Sequence, residues 1–462
     1  MLSIARSGIM AQQAAIDTIG HNIANAGTPG YTRQVAVLSP APALRTPVGV
    51  FGRGVDVTNV RGNRDALLTQ AARTTGSTSG GAGVRSDLLD RVESIFGEPS
   101  DSGLASAMDA FWNAWSDLSN APTDRAARVV VQQRGDALAR QFNAKATQLA
   151  ELEADTRAAA SRDVQRINEL AAQVASINGQ IVPAEAGGHE ASDLRDARDR
   201  LINEMATIAS VTVLDRSDGT DAVLIGGMPV VDGSVAKTIA MSSTSPPGAT
   251  FVGGAGTVRL GSGSLQARFE FLATDIPRAV AALDQLSSGM VTAVNAVHVT
   301  GWSPTAGAGG NWDPLMGATG SGVAFFDPAG VTARGMRLSQ AVAADASAIA
   351  TGDALDAPGN NRISLAIAAL RTDAPGSPFG TFGSEFQSLV AQIAGGLSAA
   401  RNDAEVASTL SAQAQARLDS RTGVSTDEEL VDLIRRQQAY AASARIIDTA
   451  RGLYDALMSI GR

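Results

Sequence analysis

Leu2-Ser-Ile-Ala-Arg-Ser-Gly-Ile-Met-Ala-Gln-Gln-Ala-Ala-Ile-Asp-Thr-Ile-Gly-His-Asn-Ile-Ala-Asn-Ala26 decides the architecture. Leu2, Ala5, Ile9, Gln12, Ile16, Ile19, Ile23 and Ala26 recur in alternating steps of three and four, which predicts one long amphipathic helix with a seven-residue repeat. Only Arg6 and Asp17 are charged, so the helix lacks the charged outer face of one packed on a single side. The other end of the chain carries a matching pattern. Thr426-Asp427-Glu428-Glu429 reads as a capping box with acids at the positive end of the helix dipole. Behind it run two apolar rows, Leu430, Leu433, Gln437, Tyr440, Ala444, Ile447, Arg451, Tyr454, Met458 and Ala439, Ser443, Ile446, Ala450, Leu453, Leu457, Ile460. A two-helix seam needs only one narrow row, so two rows predict a further helical neighbour.

The first helix should stop at Asn25-Ala-Gly-Thr-Pro-Gly-Tyr31, where Pro29 and Gly30 suit the central positions of a type II turn. Extended pieces over 31–38 and 48–60 predict a small irregular sheet. Residues 64–208 read as helical, broken near Gly97–Gly103, Asn120–Thr123 and Pro183–Gly188, which suggests a long antiparallel bundle. Val211-Thr-Val-Leu214, Ala222-Val-Leu-Ile225 and clustered glycines predict a β-rich module over 210–263. Helical periodicity returns from Ile276 to Val297. A Gly/Pro loop is expected over 301–322, at most short strands and turns over 323–360, and helices near 362–370 and over 383–421. The expected fold is mainly α with a smaller β module, an elongated multidomain chain whose terminal helices pair as a coiled coil. The expected division is 1–40 with 422–462 as a terminal coiled-coil domain, 41–209 with 264–421 as a helical bundle, and 210–263 as the inserted β-rich module.

Composition excludes several functions. There is no cysteine among 462 residues, hence no disulfide, thiolate or Cys-type zinc chemistry. The net charge of -9 is spread along the chain without a basic block, which argues against nucleic acid. Gln12, Gln13 and Asp17 interrupt any secretory signal core, and no stretch is long and apolar enough for a membrane span. An exported protein of this kind needs a route independent of a signal peptide. His21, His189 and His298 are far apart and form no ligand pair. The acids Asp193, Asp196, Asp199 and Glu204 alternate with Arg195, Arg198 and Arg200, the pattern of a solvated or subunit-facing helix. Gly226-Gly227 reads as a turn rather than a phosphate cradle, and Trp112 and Trp115 read as core. No catalytic, cofactor-binding or metal-binding residues are expected, and no cofactor.

Asn22-Ile-Ala-Asn-Ala-Gly-Thr-Pro-Gly-Tyr31 resembles the N-terminal signature of the bacterial flagellar axial proteins of rod, hook and hook-filament junction. Leu433-Ile-Arg-Arg-Gln-Gln-Ala-Tyr440, Ala444-Arg-Ile-Ile-Asp-Thr-Ala450 and Leu453-Tyr-Asp-Ala-Leu457 resemble the matching C-terminal signature. Ser192 to Glu204, Gly263-Ser-Leu-Gln-Ala-Arg-Phe269, Val294-Asn-Ala-Val-His298 and Asp124-Arg-Ala-Ala-Arg-Val-Val are similar to the hook-associated protein 1 family in particular. Longer members carry a large outer domain near the position of Phe325 to Leu338, where this chain has a short connection.

The resemblance implies a secreted structural component of the flagellum rather than an enzyme. It implies export through the flagellar type III apparatus with a cytoplasmic export chaperone at the C-terminal helix. The implied position is a ring-like layer of its own copies between hook protein and hook-associated protein 3. Its assembly residues would be Leu2, Ile9, Ile16, Ile19, Ile23, Asn25, Pro29, Gly30 and Tyr31 together with Leu430, Leu433, Ile434, Gln437, Tyr440, Ile446, Ile447, Leu453, Tyr454 and Leu457. In that reading the apolar stripes are only partly satisfied within one molecule, and both ends stay largely disordered until neighbours are present. The alternatives are a hook or distal rod subunit, a secreted wall hydrolase on an axial frame, which requires paired acids in a cleft, and a cytosolic coiled-coil scaffold with ordered ends.

Overall fold

A computed structural model describes residues 2–46, 49–97, 100, 103–242, 247–252, 257–303, 322–354, 357, 359–375 and 377–460. The chain starts with helix α1 (Leu2–Asn25) and strand β1 (Gln34–Pro40), which pairs antiparallel with β4 (Val55–Gly62). Between them β2 (Leu44–Thr46) and β3 (Gly49–Phe51) form a separate two-stranded hairpin. Helices α2 (Ala66–Phe96), α3 (Leu104–Asn120), α4 (Arg125–Glu185) and α5 (Ser192–Ile208) follow. Asp65 caps α2 by accepting from the amides of Leu67 and Leu68, and Asp124 caps α4 by accepting from Ala126. These two caps explain why polar-rich sequences start helices at these points.

Strands β5 (Val211–Asp215), β6 (Asp221–Ile225), β7 (Met228–Asp232) and β8 (Val235–Ala236) form an antiparallel meander. Strands β9 (Ile239–Met241), β10 (Ala249–Phe251) and β11 (Thr257–Val258) form a second sheet in the order β11-β10-β9. Gly226 and Gly227, both at positive φ, make the two-residue hairpin loop between β6 and β7. Of the other glycines counted in the β-rich stretch, Gly253, Gly254 and Gly256 lie outside the described residues. Helix α6 (Ser264–Glu270) continues through one π-helical turn, Phe271–Asp275, into α7 (Ile276–His298), with Pro277 in its first turn. Helices α8 (Gln340–Ala344), α9 (Arg362–Ala369), α10 (Phe382–Thr422) and α11 (Thr426–Ile460) complete the chain.

Helix α4 is the spine. Its 61 residues span roughly 90 Å at the helical rise per residue. Its first half, with Val131, Leu138, Phe142 and Leu149, joins α2, α3, α7, α9 and α10 in one core. Its second half, with Val164, Ile167, Leu170 and Val174, joins α5, α6 and the two sheets in another. Pro183 sits inside the last turn of α4 rather than in a loop; it supplies no amide to the Gly179 carbonyl, and the helix ends two residues later. Helix α10 returns along α2, so the chain runs out and back and α11 lies antiparallel on α1. The fold is mainly helical with a smaller β portion and paired terminal helices.

One expectation needs correction. The expected 301–322 loop lies mostly outside the described residues, but 323–350 is not merely strands and turns. It contains α8, begun by Ser339 accepting from the Val342 amide, and a 3-10 turn capped by Asp345. The short Phe325–Leu338 connection is part of the core: Phe325, Phe326, Ala333 and Met336 are buried among α3, α4 and α7. Phe325 packs at 5.3 Å from Trp115 and 5.7 Å from Phe111, ring centre to ring centre.

His298 ends α7 inside this core. Its Nδ1 donates to the Val323 carbonyl at 2.7 Å and its Nε2 accepts from the Ala350 amide at 3.0 Å. Burial lowers its pKa from 6.5 to about 4, so the folded ring is neutral. A depressed pKa contributes stability that is fully present above 6.5 and lost as pH falls toward 4. The loss across that window should be about 3 kcal/mol. Urea denaturation of the protein and of His298→Gln at pH 4 to 7 checks it, since the variant should lose this part of the pH dependence.

Candidate assembly site

The site lies where the two chain ends meet the body. Thr28-Pro29-Gly30-Tyr31 forms the turn that its sequence predicts: the Tyr31 amide donates to the Thr28 carbonyl at 3.1 Å and Gly30 has φ 74°. A Cβ at Gly30 would lie 2.7 Å from Arg200 Cγ, so both backbone and space require glycine. The turn sends Tyr31 back onto α1, where its hydroxyl donates to Asn22 Oδ1 at 2.8 Å and lies 3.0 Å from His21 Nδ1. Burial, with Asp193, Asp196 and Glu429 nearby, raises the Tyr31 pKa well above its ordinary value and keeps the phenol protonated.

Asn22 is the hub. It is 1% exposed, and its Oδ1 also accepts from the Gln34 amide at 2.9 Å. Its Nδ2 donates to the Gln34 carbonyl at 2.9 Å and to Glu429 Oε2 at 3.0 Å. Each hydrogen-bonding position of the amide is filled. Glu429, also 1% exposed, accepts from Arg33 Nε at 2.6 Å. Glu429 was expected to close the capping box of α11. Instead Ser425 stands at the helix start, its Oγ 3.5 Å from the Glu428 amide, and Glu429 turns inward. The shift by one residue exchanges a cap for a buried ion pair that ties the C-terminal helix to the N-terminal segment.

Helix α5 clasps this knot to the body. Asp193 accepts from Gln34 Nε2 at 2.7 Å, and Asp196 accepts from the Thr32 amide at 2.9 Å and pairs with Arg64. Arg64 also meets Glu190 at 2.7 Å, and Asp199 pairs with Arg73 at 2.8 Å. Further along, Arg195 pairs with Glu185, and Arg198 with Asp221 at 2.8 Å. The expected solvated helix is therefore wrong: Asp196 and Arg198 are buried, and the charges pair across elements rather than along α5. Burial outweighs Arg64 and raises the Asp196 pKa, and burial raises that of Asp221 to about 7 despite Arg198. These acids are engaged as structural partners, an arrangement unlike the free pair that glycoside hydrolysis needs.

The antiparallel register follows from Asn22 against Glu429, Gln12 against Arg436 and Gly8 against Ser443. The buried face of α1 is Ala5, Ala11, Ala15, Thr18, Ile19 and Asn22, mostly small residues, which lets α11 approach closely. Of the residues expected to assemble, Ile19 is buried, and Ile9, Ile16, Ile23, Asn25, Tyr31, Leu433 and Ile447 are half-buried. Leu2, Pro29, Gly30, Leu430, Ile434, Gln437, Tyr440, Ile446, Leu453 and Tyr454 are exposed, and the Leu457 side chain lies outside the described residues. The register puts Leu2 near Asp448, so Leu453, Tyr454 and Met458 run past the described start of α1. Sequence periodicity missed Asn22, Arg33, Arg64, Asp196 and Glu429. A polar pair one helical turn apart, Thr18 and Asn22, continuing the small-residue row was the available signal.

Comparison with known proteins fits this architecture in chain order. Residues 2–32 match the flagella basal body rod protein family, 89–312 the flagellar hook-associated protein FlgK helical domain, and 415–460 the flagellar basal body rod FlgEFG protein C-terminal family. Flagellar hook-associated protein 1 of Bacillus subtilis is 25% identical over 504 residues, covering 99% of this chain and 97% of the relative. Its counterpart in Escherichia coli is 26% identical over 546 residues, covering 100% and 99%. The solved flagellar hook junction protein FlgK from Burkholderia pseudomallei shares the fold, with a TM-score of 0.62 at 16% identity, over 78% of this chain and 100% of that one. Along its whole length the chain is similar to flagellar hook-associated protein 1, and it is a structural component of the bacterial flagellum.

Proposed function

We propose that the chain forms the layer that joins hook to filament, and that it acts by packing rather than by catalysis. The observation that carries this reading is the pair of terminal helices clasped by Asn22 and Glu429, which leaves Leu430, Ile434, Leu453 and Tyr454 exposed along α11. Apolar rows of that length on a helix call for further helices across them. The neighbours in this reading are copies of the same chain laterally, hook protein on one side and hook-associated protein 3 on the other. The residues named from the terminal stripes supply those contacts. The protein reaches the site through the flagellar type III apparatus, and an export chaperone covers the C-terminal helix in the cytoplasm.

The same reading divides the molecule into 1–40 with 422–462 as the terminal coiled-coil assembly domain, 41–209 with 264–421 as a helical bundle domain with small sheet elements, and 210–263 as the inserted β-rich module. Deleting the gene should leave cells with hooks, without filaments, and with unpolymerised flagellin in the medium. Full-length filaments in the deletion strain would overturn the reading. A hook or distal rod subunit is the second reading, favoured by the two rod-family matches at the chain ends. In that case the same deletion removes the hook itself.

A further inference from the structure

The β2–β3 hairpin has no visible reason to be stable where it stands. Leu44 faces Phe51 and Arg45 faces Val50 across the two strands. Leu44 is 53% exposed, Val50 67% and Phe51 52%, and both faces of the ribbon are open. An isolated two-stranded ribbon is at best marginally stable in water, and each strand here has three residues. An apolar arm of this kind needs a surface to lie on.

Charge indicates which surface. The stretch from 41 to 55 contains Arg45 and Arg53 and no acid. The first turns of α11 present the exposed acids Asp427 and Glu428 beside exposed Leu430, Val431 and Ile434. Among the described residues, none of these four charged side chains is in an ion pair. The two surfaces are thus both apolar and oppositely charged.

Within one molecule they are set apart along α1. The arm is rooted where the Ala41 amide bonds the Gly54 carbonyl, and Gly54 lies against Ile4 and Ser7 of α1. The acidic turns of α11 lie at the other end of α1, beside Asn22. Ser7 and Asn22 are fifteen residues apart on α1, roughly 22 Å, while Leu44 and Phe51 each lie three residues from the root of the arm, about 10 Å.

We propose that the β2–β3 arm of one copy docks on the Asp427–Ile434 face of α11 in the neighbouring copy. Leu44 and Phe51 then cover Leu430, Val431 and Ile434, and Arg45 and Arg53 meet Asp427 and Glu428. Two different patches make this a heterologous contact, which propagates from copy to copy as a ring or helix requires. The inference rests on the chain assembling as a layer of like copies.

The chain's lack of cysteine makes the test direct. Phe51→Cys and Val431→Cys are introduced together and singly in the source strain lacking its own gene. Flagella are isolated, oxidised, and blotted for this protein. The double variant should give a ladder of disulfide-linked dimers and higher multimers, and the single variants none. Separately, Arg45→Glu with Arg53→Glu should cut filament number at least tenfold, and adding Asp427→Arg with Glu428→Arg should restore it. Flagella that contain the double-cysteine protein without a ladder, a ladder from Phe51→Cys alone, or normal filaments in the arginine variant would overturn the docking. Absence of the unmodified protein from flagella would instead sink the layer reading itself.

Discussion

Asn22→Ala should undock α11 from α1 and stop the protein from supporting filaments while leaving the body folded. The substitution removes four hydrogen bonds at once, those to the Tyr31 hydroxyl, both backbone groups of Gln34, and Glu429. It leaves the Glu429 carboxylate buried with Arg33 alone and strips the Gln34 amide of its acceptor. Breaking a buried polar cluster by deleting one member costs about 3 kcal/mol. The rest of the buried α1 face is Ala5, Ala11, Ala15, Thr18 and Ile19, mostly small side chains, so only modest apolar area compensates. Hydrogen exchange should therefore show α11 losing protection before α2, α4 or α10 do. Equal protection of α11 in the variant would show that the apolar row, not Asn22, holds the helix. Asn22→Asp separates charge from geometry. It keeps the acceptors but sets a second carboxylate beside Glu429, so it should be as damaging at neutral pH.

The sequence makes the helices legible and hides the clasp. The α1 stripe was readable because three- and four-residue steps are a backbone property, and Pro29-Gly30 because a type II turn dictates both residues. Resemblances at the two ends made the flagellar axial group legible, and those of 124–130, 192–204 and 263–298 pointed within it to hook-associated protein 1. Periodicity chose the wrong face of α1 by one position, however. It weights Ile9, Ile16 and Ile23 above Ala11 and Ala15, whereas a close helix pair buries the small residues and leaves the isoleucines at the margins. The acid-rich run of α5 was misread for a related reason. Local charge alternation predicts pairing along one helix, but Asp196 and Arg198 find Arg64 and Asp221, which are distant in sequence. Long-range pairing of that kind leaves no spacing signal. Glu429 shows both effects together: a helix-start acid by position, a buried partner of Arg33 by tertiary contact.

Gly135→Leu should destabilise the body by about 2 kcal/mol, through contact rather than helix propensity. Position 135 is inside α4, where replacing glycine ordinarily adds about 1 kcal/mol of helix stability. Here a Cβ would lie 2.7 Å from Phe325 Cε1 and 3.1 Å from Leu338 Cδ2, so the side chain has no room. Phe325→Ala should cost about 4 kcal/mol for the opposite reason, since it empties the space between Phe111, Trp115 and Phe326. Combined, the leucine enters part of the space that the phenylalanine leaves. The double variant should then be more stable than the sum of the two losses predicts, by about 1 to 2 kcal/mol. Chemical denaturation of the four proteins measures that coupling. Strict additivity would mean that the 323–338 segment is not pressed onto α4. A positive coupling shows that this short connection is a keystone of the bundle, holding α3, α4 and α7 as one rigid piece behind the packed terminal helices.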